Sequence, residues 1–485
     1  MKTKRFISVL LLASMLVGCG GTAETPETKE SDGENAVTSG EESTVDMSKV
    51  CELPDTDFEG REFRVLGRED PMYSQFNNFE IYAESENGDL VNDAVFRRNT
   101  KIEDKYNVKI TQTLVNEPQA ALQKAVLAQE DLYDLVFNEV RSIGTPTVNG
   151  YFYNLNDIKY IDFDKAYWNP DVNEALSIGN GLFFTSSDFS LRDKNRVYIL
   201  IYNRDMVESY GLDDVIGKVR EGKWTYDTMK QYTKSVYVDL NSDGQMSIED
   251  NWGIGFDSPH GCEALLFGFG GKLIENIDGK PEIVMNSEHN VNALDKALDI
   301  VADGFYCQDL KSKVDYDFNS VSGNLFASQQ ALFMTAFPHS LKSRSEKCDF
   351  NYGVCPFPKF DENQAKYLSM ADVYGMLFSI PVTTPDPDFS GFMLEALSSA
   401  SEEVLYNYYE LTCKVKHTYD EDSAEMLDLI FDGIVYDLGM IYSNLGISES
   451  VWSMCDRKKN ELVTKFAKIE SKANQKLDEI IESCS

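Results

Sequence analysis

The sequence is poor in histidine and in positive charge. It has 4 His in 485 residues, and 45 Lys and Arg against 81 Asp and Glu give a formal net charge of −36 at pH 7. A chain this acidic offers no basic surface to nucleic acid or to anionic lipid, so we expect neither as a partner. His260, His289, His339 and His417 are far apart and lack the His-Glu-x-x-His spacing of a zinc enzyme.

The 9 cysteines also lack the paired Cys-x-x-Cys spacing of structural zinc sites. Outside the cell the eight that follow Cys19 could form disulfides, whereas an anaerobic source would leave them as buried thiols. Cys348 and Cys355 are close enough in sequence to pair if their strand and loop face each other. The sequence leaves both alternatives open.

Long apolar runs are absent after the N-terminus, so we expect no membrane-spanning helix in the rest of the chain. Three basic residues precede an apolar stretch from Phe6 to Val17, which has the pattern of a secretory signal and is too short to span a bilayer. The stretch ends in Leu-Val-Gly-Cys19, which resembles the lipobox of bacterial lipoproteins. The resemblance implies a signal peptide at 1–18 and lipidation of Cys19. The alternative is an ordinary signal peptide with a chance cysteine at its cleavage site.

The segment from Gly20 to Val50 has no aromatic residue and is rich in Thr, Ser, Glu, Gly and Asp. Such a composition cannot bury enough apolar surface to offset the entropy lost on ordering. We therefore expect residues 19–54 to be a lipidated cysteine and a flexible acidic linker. This linker would hold the folded protein at the extracellular face of the cytoplasmic membrane.

The whole chain is 42% hydrophobic and 12% aromatic, which is enough for a large core in two or more domains. The first predicted strand ends at Leu66, and Gly67 is expected to break it. The hydrophobic patterns that follow predict helix 89–106, strand 108–114, helix 120–129 and strand 133–137. This alternation is typical of a doubly wound parallel sheet.

Polar residues follow two of these strands directly. Arg68 and Glu69 come after the first strand, and Asn138 and Glu139 end the third. Open α/β sheets bind ligands outside the carboxyl ends of their strands, so these four residues are candidate ligand contacts. A charged surface turn is the alternative interpretation for Arg68 and Glu69.

Several segments carry a resemblance to a known family. Asn92-Asp93-Ala94-Val95-Phe96-Arg97-Arg98-Asn99, Tyr133-Asp134-Leu135-Val136, the segment 197–205 and Gly222-Lys223-Trp224-Thr225-Tyr226-Asp227 occur in an order that resembles the extracellular solute-binding lipoproteins of ABC importers. The similarity lies with the broad carbohydrate-binding class that includes maltose-binding protein, and it extends over most of Phe58 to Gly439.

The resemblance implies an α/β, two-lobed, periplasmic-binding-protein-like fold of type II. Each lobe would be a mixed sheet flanked by helices, with a hinge between the lobes and a helical C-terminus. The expected N-terminal lobe comprises residues 55–190 and 340–395. The expected C-terminal lobe comprises residues 196–335 and 396–485.

The resemblance also places further residues in a cleft between the lobes. The additional candidate ligand contacts are Ser187, Asp188, Trp252, His260, Phe337, His339, Asp372 and Tyr374. Aromatic rings offer sugars an apolar face, which makes Phe337, Tyr374 and Trp252 candidate platforms, although core packing is an alternative for each. Trp224 precedes a helix start at Thr225 and is expected to pack on that helix.

The segment 239–250 matches a calcium-binding loop. The expected ligands are Asp239, Asn241, Asp243, Gln245 and Asp250. Gly244 occupies the position of the sharp turn, and Ser247 would act through water. Asp250 stands where EF-hands use Glu, so we expect weak, structural calcium binding. The alternative is an Asx-rich turn without metal.

The sequence is compatible with three functions. The resemblance favours a lipid-anchored, monomeric receptor that captures a solute, expected to be a sugar or oligosaccharide, and passes it to ABC permease subunits without chemical change. A secreted glycan hydrolase is the alternative, but the sequence has no nucleophile elbow, zinc spacing or catalytic triad. A structural surface lipoprotein is the third possibility.

Overall fold

The computed structural model describes residues 49–72, 77–256, 258–306, 325–413 and 421–484. The predicted signal peptide, Cys19 and most of the linker lie outside the described residues. The strands are β1 Arg61–Arg68, β2 Val108–Val115, β3 Leu135–Glu139, β4 Ile199–Asn203, β5 Trp252–Phe256, β6 Ile274–Ile277, β7 Lys280–Ile283, β8 Gly304–Tyr306, β9 Ala331–Ala336, β10 Tyr352–Cys355, β11 Ser369–Met370, β12 Met376–Ser379 and β13 Ile434–Val435.

The first ten helices are α1 Leu90–Tyr106, α2 Pro118–Ala128, α3 Val140–Val148, α4 Pro170–Leu176, α5 Arg192–Asn195, α6 Arg204–Ser209, α7 Val215–Arg220, α8 Tyr226–Val236, α9 Pro259–Gly268 and α10 Glu288–Ala302. They are followed by α11 Leu341–Ser345, α12 Pro387–Ser399, α13 Glu402–Cys413, α14 Glu421–Asp432, α15 Leu438–Ile441, α16 Ile447–Arg457 and α17 Leu462–Ser483. In the described part of the chain, no helix combines the length and apolar character needed to cross a membrane.

The first lobe contains a sheet with strand order β12-β3-β1-β2. Strand β1 pairs in parallel with β2 and β3, which confirms the predicted strand–helix alternation, and β12 joins antiparallel to β3. Helix α1 begins where Asp89 accepts hydrogen bonds from the N–H groups of Val91 and Asn92 at 3.1 and 2.9 Å.

Gly67 has a different role from the one predicted. It does not break β1, which continues through Arg68. A Cβ at this position would lie 2.6 Å from the side chain of Ile81 and 2.9 Å from that of Leu114. The glycine therefore allows close packing inside the strand.

The second lobe contains a sheet with strand order β10-β4-β9-β5-β8. Strand β4 is antiparallel to both β9 and β10, whereas β5 is parallel to β8 and β9. All residues of β4, β5, β9 and β10 are buried, so helices cover this sheet on both faces.

Three chain segments that connect the lobes lie side by side. Val197 forms an antiparallel bridge with Ala371, and β11 pairs in parallel with β13. The Tyr198 N–H also donates to the Met370 carbonyl at 2.9 Å. These segments form the hinge region between the two sheets.

The lobe boundaries differ from the prediction in two places. Residues 340–395 were assigned to the N-terminal lobe, but β10 pairs with β4 and belongs to the second sheet. Residues 396–485 were assigned to the C-terminal lobe, but α13 packs against α1 of the first lobe. The C-terminal helices contact both lobes, since α14 packs on β10, α15 on α3 and α16 on α9.

The described cysteines are free thiols. They are Cys51, Cys262, Cys348, Cys355, Cys455 and Cys484. A disulfide between Cys348 and Cys355, one of the two alternatives left open, is therefore not formed. Cys355 lies in β10, where burial raises the pKa of its thiol well above the usual range, and burial raises the pKa of Cys348 to about 11. Both thiols are therefore neutral and inert at neutral pH.

Trp224 packs on its helix, in agreement with the sequence interpretation. Its ring lies 5.9 Å from that of Tyr232 in α8 and 5.4 Å from that of Phe333 in β9, measured between centroids. Its Nε1 donates to the Pro356 carbonyl at 2.9 Å. Thr225 occupies the N-cap position of α8 but its side chain makes no capping hydrogen bond. Trp224 thus belongs to the core of the second lobe.

Replacing Trp224 should therefore destabilise the protein strongly. We expect Trp224→Ala to lower the free energy of unfolding by about 3–5 kcal/mol, because it removes buried surface and leaves a cavity. Guanidinium denaturation at constant temperature measures this change. The control is Tyr406→Ala, at a side chain that is 52% exposed, which should change the same quantity by less than about 0.5 kcal/mol. Equal stability of the two variants would contradict the assignment of Trp224 to the core.

Candidate functional site

The candidate site lies where the strand ends of the two lobes face the hinge region. In the first lobe, Arg68 ends β1 and Glu139 ends β3, and Glu139 is paired with Met376 at the start of β12. In the second lobe, Phe337 follows β9 directly, and Tyr198 precedes β4. The carboxyl ends of β1, β3 and β9 therefore lie near the hinge region, where the resemblance predicts the ligand cleft.

A set of ion pairs links Arg68, Glu139 and Arg141 in the first lobe. One carboxylate oxygen of Glu139 pairs with Arg68, and the other accepts a hydrogen bond from Nε of Arg141 at 2.8 Å. Arg68 also donates to Asp70 at 3.0 Å. The side chains of Arg68 and Glu139 are buried, whereas that of Arg141 is 45% exposed. Arg141 is therefore the member of this set that a solute can reach.

Arg141 lies on the ring of Tyr374. Its guanidinium carbon is 4.1 Å from the ring centroid, a cation–π contact. Backbone hydrogen bonds from Val140 to Gly375 and from Arg141 to Val373, at 3.0 and 3.1 Å, hold the two segments together. Tyr374 is partly exposed, so this stacked pair forms part of the cleft wall.

Arg196 connects the hinge region to the second lobe. It pairs with the buried carboxylate of Asp372, and the Asp372 N–H donates to the Arg196 carbonyl at 2.8 Å. Its guanidinium carbon lies 4.4 Å from the centroid of Phe337 and 5.5 Å from that of Tyr374. Arg196 therefore contacts four of the predicted site residues, because it also hydrogen-bonds His339.

Phe337 is enclosed by its neighbours. Its ring lies 4.4 Å from that of Tyr198 and is stacked on His339 at 5.5 Å, measured between centroids. With Arg196 on the ring as well, Phe337 is only 9% exposed. In this conformation Phe337 supports the cleft wall, and Tyr374 is the better candidate for a sugar platform.

His339 accepts a hydrogen bond at Nε2 from Nη1 of Arg196, at 3.0 Å. Burial, together with the positive charges of Arg196, Arg344 and Arg192, lowers the pKa of His339 to about 3. The ring is therefore neutral at neutral pH, as an acceptor must be.

His260 lies in the first turn of α9, at the carboxyl end of β5. Its Nδ1 is 2.9 Å from Oε2 of the buried Glu263, whose other oxygen accepts from the Ser448 hydroxyl at 3.0 Å. The N-cap of α9, Ser258, is 3.3 Å from the Tyr198 hydroxyl. His260 is thus held near the cleft edge of the second lobe.

Two further predicted residues lie at strand ends of the first lobe. Glu69 is exposed, and its N–H donates to the Val115 carbonyl at 3.0 Å. Asn138 is buried in β3, and neither atom of its amide group has a hydrogen-bond partner among the described residues. Both residues are close in sequence to the Arg68–Glu139 pair.

The three remaining predicted contacts are Trp252, Ser187 and Asp188. Trp252 stands at the amino end of β5, with its Nε1 bonded to the Ser247 carbonyl at 2.9 Å, so it packs under the 239–250 loop. The Ser187 hydroxyl is 2.7 Å from that of Ser398 in α12. Asp188 lies near Tyr409 in α13. Burial is the main cause of the raised pKa of the Tyr409 phenol, and the charge of Asp188 is the second cause. Trp252 and Ser187 therefore pack against elements away from Tyr374, which corrects the prediction for these two residues, whereas Asp188 stays a predicted contact.

Four residues of the candidate site were not predicted from the sequence: Arg141, Arg192, Arg196 and Tyr198. Arg141 could have been found, because it follows Glu139 at the end of a predicted strand. Arg192 begins the one-turn helix α5 and Arg196 follows it, and a helix this short has no periodic pattern to indicate which side chains face the cleft. Arg192 nevertheless donates from Nη2 to the Tyr374 carbonyl at 2.7 Å.

The 239–250 loop adopts the expected tight turn. Gly244 has φ +81°, and Asp239 accepts hydrogen bonds from the N–H groups of Ser242 and Gly244 at 2.7 and 2.8 Å. Asp243 accepts from the Gln245 N–H at 2.7 Å. These bonds suit either a metal loop or an Asx-rich turn.

Asp250 is used differently from the last ligand of an EF-hand. Its two oxygens accept from the N–H groups of Leu240 and Ser247, at 2.9 and 2.7 Å, and its side chain is buried. Among the residues that the structure describes, no group of three or more His, Cys, Asp or Glu side chains is arranged to hold a metal ion. The oxygens of Asp239, Asn241, Asp243 and Gln245 would therefore have to provide most of a calcium site, and calcium binding stays a prediction.

Comparison with known proteins identifies the fold. No protein-family model and no curated protein matches the sequence. Among solved structures, a cyclo/maltodextrin-binding protein complexed with maltotetraose has a TM-score of 0.54 at 15% identity, covering 88% of this chain and 96% of that chain. A sugar transporter protein from Rhizobium etli, in an open conformation, has a TM-score of 0.55 at 12% identity, covering 87% and 98%.

An ABC substrate-binding protein from Listeria monocytogenes, in complex with cycloalternan, has a TM-score of 0.51 at 14% identity, covering 87% of this chain and 99% of that chain. At these identities the likeness establishes the fold. The chain has the two-lobed α/β architecture of type II substrate-binding proteins, as the sequence predicted.

The low pKa of His339 predicts a pH dependence. A histidine whose pKa is lowered on folding binds its proton more tightly in the unfolded chain, so its contribution to stability is lost as the pH falls from about 6.5 towards 3. We expect acidification from about pH 7 to about pH 4 to lower the free energy of unfolding more in the wild type than in His339→Gln. Guanidinium denaturation of both proteins across this range measures the difference. Parallel pH profiles would contradict the assigned environment of His339.

Proposed function

We propose that this protein captures a sugar or oligosaccharide in the cleft between its lobes and delivers it, chemically unchanged, to an ABC transporter permease. The proposal is supported by the fold, because the structures with that fold described above bind maltotetraose or cycloalternan or are called sugar transporters. The observation that carries it is the cleft wall itself. A partly exposed Tyr374 stands there among guanidinium and carboxylate groups.

This arrangement suits a carbohydrate. A sugar ring has apolar C–H faces that pack on an aromatic ring, and hydroxyl groups that need both donors and acceptors. Tyr374 offers the aromatic face and Arg141 offers donors, and His260 and the exposed Glu69 are further candidate contacts. Binding in such a cleft is commonly accompanied by closure of the lobes about a hinge, which here is formed by the paired segments around Val197, Ala371 and β13.

The remaining parts of the proposal rest on the sequence. We propose that Cys19 carries lipid and that the protein acts as a monomer, held at the extracellular face of the cytoplasmic membrane by its acidic linker. The Leu-Val-Gly-Cys19 motif and the composition of residues 20–50 support this. Permease subunits are the proposed protein partners.

Binding of neutral sugars provides the first test. A sugar at about a hundred times its dissociation constant should stabilise the full chain by about 2.7 kcal/mol, which a thermal-shift assay detects. Maltotriose, mannotriose, glucose and galactose form the first panel. Chromatography of the sugar after incubation tests whether it is unchanged.

Tyr374→Ala is the matching variant. We expect it to weaken sugar binding about tenfold or more, since it removes the platform, while Tyr406→Ala on the surface leaves affinity unchanged. Cleavage of the sugar would favour the hydrolase instead. No stabilisation by any solute would favour a structural surface protein.

We also propose that the 239–250 loop binds calcium as a structural ion. The loop supplies oxygen atoms of Asp239, Asn241, Asp243 and Gln245 around the turn at Gly244. Calcium prefers such oxygen ligands. Asp250 would keep its hydrogen bonds to the backbone and stabilise the loop from beneath.

Calcium should raise the melting temperature of the wild type, and a chelator should reverse the change. Asp243→Asn is the sharpest variant, because its amide oxygen can still accept the hydrogen bond from Gln245 while the charge is lost. We expect this variant to melt like the wild type without calcium and to bind calcium about tenfold more weakly. A wild type whose melting does not respond to calcium would favour the metal-free turn.

A further inference from the structure

Arginines converge in the cleft of a chain whose net charge is −36. Arg68 and Arg141 share the carboxylate of Glu139, one at each oxygen. Arg192 and Arg196 reach the same region from the hinge, through the Tyr374 carbonyl and the Tyr374 ring. Guanidinium groups thus approach one aromatic residue from both the first lobe and the hinge.

The lowered pKa of Arg192 agrees with the close approach of the other arginines. The pKa of Arg192 is lowered to about 9, by burial first and then by Arg196 and Arg68, although Glu80 and Asp372 oppose the effect. After burial, Arg196, Arg344 and Arg192 also lower the pKa of His339. Because Arg68, Arg192 and Arg196 are each at most 7% exposed, their mutual repulsion is weakly screened by water.

Arg141 is the exposed member of the group. Its side chain is 45% exposed. Arg141 pairs with one carboxylate oxygen of Glu139, and Arg68 occupies the other. Stacking on the Tyr374 ring, at 4.1 Å from the centroid, orients the guanidinium. A planar guanidinium held in this way is suited to bidentate recognition of a carboxylate. A sugar lying on Tyr374 would place a substituent of its ring next to Arg141.

We infer that the solute is an acidic sugar, whose carboxylate is bound by Arg141 while its ring packs on Tyr374. This inference rests on the proposed function and names its substrate class as uronic acids and oligosaccharides that contain them. The buried arginines are balanced by neighbouring carboxylates, Arg196 by Asp372 and Arg68 by Glu139, so Arg141 is the group that contacts the ligand's carboxylate. The acidic exterior repels an anion, so its binding depends on the local contact with Arg141.

The test is a calorimetric comparison of matched solutes on the full chain. Glucuronate and galacturonate, with di- and trigalacturonate, are compared with glucose, galactose and maltotriose. Acetate and citrate are carboxylates without a sugar ring, and glucose 6-phosphate carries a phosphate in place of the carboxylate. We expect the best uronate to bind at least tenfold more tightly than its neutral counterpart, and higher salt to weaken its binding.

Arg141→Gln separates the charge from the platform. It should weaken uronate binding about ten- to hundredfold, the usual effect of losing a hydrogen bond to a charged group, and weaken neutral sugar binding by a smaller factor, so that the ratio of uronate affinity to neutral sugar affinity falls. Arg220→Gln is the matched control, because Arg220 is also 45% exposed and paired with carboxylates, Asp422 and Glu425, but lies outside the cleft. Unchanged melting of both variants without solute shows that they are folded.

The outcomes distinguish this inference from the proposed function. If neutral sugars bind as tightly as uronates, or if Arg141→Gln leaves uronate binding unchanged, the acidic-sugar inference is wrong and sugar capture stands. Tighter binding of glucose 6-phosphate than of any uronate overturns the assignment to a carboxylate. If acetate or citrate binds as well as the uronates, the sugar ring is not recognised. Failure of every sugar to bind contradicts the proposed function itself.

Discussion

The contact between Arg196 and Asp372 is the interaction on which the cleft depends. It joins two hinge segments by an ion pair and by a backbone hydrogen bond, and from this position Arg196 also covers Phe337 and approaches Tyr374. Both charges are buried, so each would be costly to leave without the other. This pair therefore fixes the aromatic residues of the second lobe and the hinge relative to one another.

The position of the pair explains how one cleft can be built from both lobes. Arg68, Glu139 and Arg141 are placed by the carboxyl ends of β1 and β3, while Phe337 and Tyr198 are placed by β9 and β4. The segment containing Asp372 and Tyr374 lies between them and leads directly into β12. A small rotation about the paired hinge segments would change the distance between the two groups while leaving each sheet intact.

Much of this arrangement could be read from the sequence, for physical reasons. Hydrophobic alternation locates β1 and β3, and the rule that ligands gather at carboxyl strand ends then selects Arg68 and Glu139. The prediction of Trp252 did not succeed, because an aromatic residue beside a strand does not reveal at which end of the sheet it will lie. The ring stands at the amino end of β5 and packs under the neighbouring loop. Arg196 was not predicted because its segment has no regular periodicity. The prediction placed β10 in the other lobe, because the local sequence does not show which distant strand it will pair with.

Hydrogen–deuterium exchange in the presence and absence of a bound sugar tests the central claim most directly, namely that the solute sits between the lobes against the hinge. The account predicts slower exchange on binding in three places at once: residues 139–141 of the first lobe, residues 337–341 of the second lobe, and the hinge segments around Arg196 and Asp372. Protection confined to one lobe, or to a surface such as the 239–250 loop, would contradict the account, because the solute would then bind outside the cleft that Arg196 and Asp372 organise.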